Sequence, residues 1–130
     1  MEVEVRKLHE IKGVSIPEPY ARIVKILVSP EKETVPLGLS TPIKIEKAIE
    51  SRCGTVGVSL IQPGKGMEPH RHKNEEETIY IINGRGEYIV AGKPVKFEPD
   101  TIIHIPANVE HGLLNSGDEM IKQVWFMTRV

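Results

Sequence analysis

The chain has 130 residues, one domain's worth, and that length buries about two-thirds of the unfolded surface. Its 17 basic and 18 acidic residues are scattered and leave a net charge of −1, so no basic footprint for nucleic acid or anionic lipid is present. The single cysteine, Cys53, cannot close an intrachain disulfide, the start Met-Glu-Val-Glu-Val-Arg-Lys has no apolar leader, and no apolar run approaches a bilayer span. These features predict a soluble cytoplasmic protein with neither a nucleic-acid nor a membrane partner.

In chain order the pattern is of short, roughly alternating apolar runs broken by Gly, Pro and Asn. Residues 1–50 open with the alternation Val3-Glu4-Val5 and give candidate strands at Arg22–Val28 and Pro42–Glu46. Residues 30–42 carry three prolines and read as a loop. Ile45–Arg52 fits two helical turns stopped by Gly54, or a strand running into a loop. Further strands are expected at Thr55–Gln62, Thr78–Ile82, Gly86–Ala91, Ile102–Ile105 and Ile121–Met127, all rich in Ile, Val and Thr. The turns Gln62-Pro63-Gly64, Asn83-Gly84, Ala91-Gly92, Pro99-Asp100 and Ser116-Gly117-Asp118 punctuate them. Regular short strands with such turns predict an all-β barrel or sandwich, with 1–130 as a single domain.

Three histidines and one glutamate stand at informative spacings. In extended backbone His70 and His72 point to one face. Counting by twos, Glu77, Ile79 and Ile81 share one face of the next strand, and His111 lies far downstream in Pro106-Ala107-Asn108-Val109-Glu110-His111. Imidazole with carboxylate suits a first-row divalent metal. Taken singly, each feature has a plainer reading: His-x-His as solvated surface, and Glu75-Glu76-Glu77 as a charged turn. His9 reads as surface, and His104 as surface rather than cavity. Trp125 reads as core, whereas alternation alone does not choose a face for Gln62 or Gln123. Cys53, beside Gly54, has no visible partner for nucleophilic work.

The surrounding residues add a resemblance. Gly64-x5-His70-x-His72-x4-Glu77-x6-Gly84 resembles the first cupin motif in full, and Pro106-x-Asn108-x2-His111-x3-Asn115 resembles the second. Asp100 and Asn108 stand where that family usually has Gly; Asn also tolerates the left-handed turn conformation. The likeness covers residues 55–127 as a two-motif core. It implies a single-domain cupin: a double-stranded β-helix or jelly-roll-like barrel with extra N-terminal strands in 1–50. It also implies that His70, His72, Glu77 and His111 are the ligands of one divalent ion: manganese, iron, nickel or zinc. Of the three glutamates, only Glu77 lies six residues before Gly84; Glu76 points to the opposite face and Glu75 falls in the turn.

Such a ligand set leaves open positions for a small-molecule ligand or substrate. Among single-domain members the chain looks most like the small stand-alone, oxalate decarboxylase-like type. The implied activity is metal-dependent oxygenation or decarboxylation of a small oxygenated carboxylate or enol. No catalytic acid is assignable. The alternatives are a non-enzymatic ligand-binding or sensing cupin and a sugar-phosphate isomerase, which would want several basic residues in the cavity. The N-terminal runs Val3-Glu4-Val5 and Arg22–Val28 are expected to pair with a partner's sheet, giving a homodimer.

Overall fold

The computed structural model describes residues 3–18, 20–35, 37–39, 42–52 and 54–130; Cys53 lies outside them. The larger sheet is ordered β1 (Val14–Ile16), β2 (Arg22–Ser29), β6 (Gly54–Ile61), β13 (Ile121–Arg129), β8 (Glu75–Asn83) and β11 (Ile102–Ile105). The short strand β5 (Ile49–Glu50) runs parallel to the end of β2, and the other pairings are antiparallel. A smaller sheet is ordered β10 (Lys93–Phe97), β9 (Gly86–Val90), β12 (His111–Leu114) and β7 (Gly66–His70). Strands β3 (Thr34–Val35) and β4 (Ile43–Lys44) form a small hairpin. The expected all-β architecture is present: two sheets facing each other around one core, the double-stranded β-helix arrangement.

The core follows from period-2 alternation. On β8 Glu77, Ile79 and Ile81 are buried; on β13 Ile121, Gln123, Trp125 and Met127; on β2 Arg22, Val24 and Ile26. Trp125 is core, as read from the sequence. Its ring lies flat over Gly57, where an added Cβ would sit 2.1 Å from Cζ2. Gln123 faces inward and accepts a 2.5 Å hydrogen bond from the Tyr88 hydroxyl, whereas Gln62 is exposed.

Several boundaries differ from expectation. Ile45–Arg52 contains no helix; Ile49–Glu50 satisfies its backbone on β2 instead. Pro42–Glu46 narrows to Ile43–Lys44, and the 30–42 segment carries a strand at Thr34–Val35. Glu75 is the first residue of β8, paired with Arg129, rather than part of a turn. β2 is interior to its sheet, with β6 along one side and β1 and β5 covering the two ends of the other, so little of Arg22–Val28 is left as an edge; the outer strands are β1 and β11. Val3 and Val5 are exposed and lie outside any strand. Strands β1, β7, β10 and β12 were not foreseen. Their sequences Val-Ser-Ile, Gly-Met-Glu-Pro-His, Lys-Pro-Val-Lys-Phe and His-Gly-Leu-Leu are short or carry Pro and Gly, which depress any strand reading. Asp100 and Asn108 have φ of 68° and 65°. They supply the left-handed turns for which Gly is the usual choice.

One side chain ties the two sheets together. Asn115, fully buried, donates through Nδ2 to Ile61 O (2.9 Å) and Glu119 O (2.8 Å) and accepts from Gly117 N (3.1 Å). Asn115→Ala strands the carbonyl of Ile61 in the core. It is expected to cost roughly 1–3 kcal/mol, or about 8 °C in Tm. Thermal unfolding within 2 °C of the parent would refute this role.

Candidate metal centre

Local structure aims four side chains at one point. His70 ends β7 and His111 begins β12, and these two residues are direct partners in the ladder. A register shift between His111 and Leu113 bends β12 at Gly112, whose backbone lies close to Pro69. His72 follows β7 in the 71–74 loop, which is pinned when Asn108 N donates to His72 O at 2.7 Å. Glu77 comes from the facing sheet, between Ile105 on β11 and Met127 on β13. All four residues are buried, and one ligand atom from each lies within 4.8 Å of the others. The structure therefore brings together every residue that the motif spacing singled out. His9 and His104 stay outside; both are exposed, and His104 bonds Thr78 Oγ1 at 2.9 Å on the outer face.

Hydrogen bonds fix the rings. His70 Nδ1 contacts Glu68 O at 2.6 Å and His111 Nδ1 contacts Val109 O at 3.0 Å, so each Nδ1–H is used on backbone. That leaves both Nε2 atoms for the cluster, the outer-sphere arrangement that orients metal-binding imidazoles. Glu77 Oε1 stands 3.0 Å from His111 Nε2 and 3.5 Å from His72 Nε2. Neither ring nitrogen of His72 makes a hydrogen bond of good geometry, although both are buried. A buried imidazole with two orphaned nitrogens is costly, and a metal ion is a partner that would satisfy one of them. Donors held about 2.1 Å from one ion lie about 3 to 4.2 Å apart, so small side-chain shifts bring a group within 4.8 Å onto one ion. Three imidazoles and one carboxylate fit a divalent first-row ion.

The electrostatics agree. Burial, then the positive charge that His111 can carry, push His70 down to about 4, so its lone pair is free at neutral pH. Burial would raise Glu77, but the imidazoles of His111 and His72 outweigh it and hold the carboxyl at about 2. Burial would lower His111, but its bond to Glu77 prevails and raises it.

The cavity is lined by Val24, Leu37, Leu39, Met67, Trp125 and Met127 beside the five polar residues Arg22, Ser59, Glu77, His70 and His72. The space they leave is about 20 Å³, room for about one water molecule. Gly38, at φ 68°, lets the 37–39 segment pack onto the site; a Cβ there would meet Arg71 O at 2.3 Å and His72 Nδ1 at 3.2 Å. Sequence reasoning missed this segment and Arg22. A glycine between two leucines in a proline-rich loop was the only signal for the first. A charged residue in phase with Val24 and Ile26 was the signal for the second.

Comparison with known proteins places this geometry. Residues 57–127, more than half of the chain, match the family model of the cupin domain. Polyketide synthase CurC of Streptomyces cyaneus is 28% identical over 90 residues, 69% of this chain and 56% of that protein. The 5-nitrosalicylic acid 1,2-dioxygenase of a Bradyrhizobium species is 35% identical over 63 residues, 48% of this chain and 30% of that protein. The chain spans about half the length of the first curated relatives it matches. Among solved structures, a predicted oxalate decarboxylase from Thermotoga maritima superposes with a TM-score of 0.74 at 17% identity, over 98% of this chain and 100% of that one. KdgF from Halomonas gives 0.69 at 16% identity, over 99% and 96%. Likenesses at that identity carry the fold alone. The family match over 57–127 and the two facing sheets agree: this chain belongs to the cupin family.

Proposed function

We propose that the protein is a metal-dependent cupin enzyme that oxygenates a small carboxylate or enol-type substrate, with His70, His72, Glu77 and His111 holding one divalent ion. The carrying observation is the composition of the cavity. Glu77 is the only carboxylate among the described residues that line it, and that group is engaged with His111 and His72. Decarboxylation wants a proton donor beside the substrate, and no lining group is free for that role. Bound there, the ion supplies Lewis-acid or redox chemistry. Relatedness to a dioxygenase acting on a hydroxylated aromatic acid supports oxygenation. The isomerase alternative is weakened, because the cavity has a single basic side chain, Arg22.

The chain's own residues prepare the site. His70 and His111 are locked by their backbone bonds, so little ordering is left for the moment of ligand binding. The walls of Val24, Leu37, Leu39, Met67 and Met127 exclude water, which strengthens each electrostatic contact inside. Trp125 Nε1 donates to Ser59 Oγ at 2.9 Å, which fixes that side chain in the cavity wall.

Elemental analysis should find about one first-row ion per chain, and His70→Ala with His72→Ala should abolish it. Glu77→Gln should weaken metal binding by roughly 10- to 100-fold, whereas Glu75→Gln and Glu76→Gln, on exposed or half-exposed positions of β8, should change it little. Full metal retention in the double histidine variant would end the ligand assignment. Loaded protein screened against small carboxylates and diketones should consume oxygen with at least one of them; a loaded protein inert across that set would refute oxygenation.

Proton linkage gives a separate check. In the metal-free protein the Glu77 pair keeps a proton on His111 above the usual imidazole range, and a metal must displace it. Metal uptake at pH 6 should release that proton, so the calorimetric heat should vary with the ionisation enthalpy of the buffer. His70, at about 4, is already neutral there. The stability signs follow. Glu77, depressed, supports the metal-free fold above its unfolded value near ~4.3 and ceases to as pH falls toward about 2. His111, raised, supports it below ~6.5 and ceases to as pH rises through its folded value. The Tm gap between loaded and metal-free protein should therefore widen from pH 5 to pH 8. A constant gap and buffer-independent heats would rule histidine out as the ligand type.

A further inference from the structure

The metal group is walled in. With space for about one water molecule beside it, no organic substrate fits while the walls stand as they are. Outside lies a hollow of about 1020 Å³. Four residues line both spaces: His70, His72, Leu37 and Leu39. The two histidines belong to the ligand set, so the wall that can yield is the turn Leu37-Gly38-Leu39.

That turn is mounted apart from the barrel. It lies between β3 and β4, whose hairpin is a two-stranded sheet of its own. Among the described residues no backbone hydrogen bond joins the hairpin to either main sheet; its ladder and the bond from Ile45 N to Glu33 O at 2.9 Å are internal. Side-chain burial holds it down instead, through Val35, Leu37 and Ile43. The tip is also strained. Leu37 has φ 50° and Gly38 has φ 68°. The left-handed region disfavours a leucine, and such strain persists only where the surroundings impose it. Here the burial of the Leu37 side chain over the cavity imposes it. Lifting the tip relieves the strain as it exposes the leucine, so the two effects oppose each other and the closed state is held by a small margin. Gly38 meanwhile lies against His72 Nδ1, a ring nitrogen with no hydrogen bond. The tip thus covers the histidine that hydrogen bonds hold least.

We propose that the β3–β4 hairpin is a flap over the metal group, that its tip must lift before a substrate reaches that group, and that Leu37 and Leu39 decide which substrates are admitted. The inference rests on the metal reading above and deepens it. The substrate takes the space the tip vacates and meets the two leucines with an apolar portion. Closure behind it excludes water.

The experiment uses full-length protein loaded with zinc, its metal content measured first. Binding of nitrocatechol, a coloured aromatic diol that chelates the ion, is followed by stopped-flow absorbance. In wild type the observed rate should level off as the diol concentration rises, because flap opening limits it. Leu37→Ala removes the buried anchor and keeps the strain; Gly38→Ala adds a Cβ 2.3 Å from Arg71 O. Each should raise that ceiling at least about tenfold at unchanged zinc content. Ile103→Ala, a core truncation on β11, should lower the Tm and leave the ceiling unmoved. Diol binding by the flap variants alone also supports the proposal. A wild-type rate that climbs linearly with diol concentration, a ceiling that neither flap variant moves, equal acceleration by Ile103→Ala, or no diol binding by any loaded protein overturns it. If wild type takes up no zinc, the metal reading fails by itself, and the flap is judged on metal-free protein by hydrogen exchange. That readout also decides the matter if the flap variants do not fold. The Ile45 amide should then exchange at least about tenfold faster than the ladder amides of β8 and β13; equal protection overturns the proposal.

Discussion

Glu77 is a carboxylate withdrawn from water, 6% exposed, in the inner wall of the barrel. Such a charge persists only if its surroundings replace the lost hydration. Here the replacement comes from two imidazoles across the core: His111 of the opposite sheet at 3.0 Å and His72 of the 71–74 loop at 3.5 Å. The interaction therefore crosses the core and fixes how the two sheets face each other. It also accounts for details that look unrelated. The bend at Gly112 sets His111 opposite His70, the bond from Asn108 N to His72 O anchors the loop, and the backbone carbonyls of Glu68 and Val109 set the rings.

The same interaction explains why the metal-free group is coherent yet incomplete. A proton on His111 compensates Glu77, and the low pKa of His70 keeps its lone pair available. His72 is left with two buried nitrogens and no hydrogen bond. One dication would take the place of that proton and give the orphaned ring a partner. The pair is thus a structural element of the fold, with the His111 ring held by the Val109 carbonyl.

Much of this was legible in the sequence, and what was legible had fixed spacing. His70, His72 and Glu77 lie within one strand-loop-strand passage, where a period of two decides which side chains share a face. Ile79 and Ile81 confirm the phase of Glu77. His111 needed the second motif, since no local rule joins residues so far apart in sequence. The elements that carry His70 and His111 were not legible as strands. β7 contains Pro69 and β12 contains Gly112, and both are stabilised by their mutual ladder rather than by their own propensity. The short pieces at 34–35 and 49–50 are set by tertiary pairing. Arg22 was placed in the right strand, but alternation without a solved partner sheet does not say which face is inward.

Charge balance inside the barrel separates Arg22 from the other polar groups. The three imidazoles serve as neutral donors, so a loaded cavity contains a dication, one carboxylate and one guanidinium. Together these leave the interior about two charges positive, with few water molecules to disperse the field. With an apolar residue at position 22 the excess would be about one. Natural barrels do not retain a surplus of buried charge for packing, because apolar side chains of equal volume pack as well and cost less.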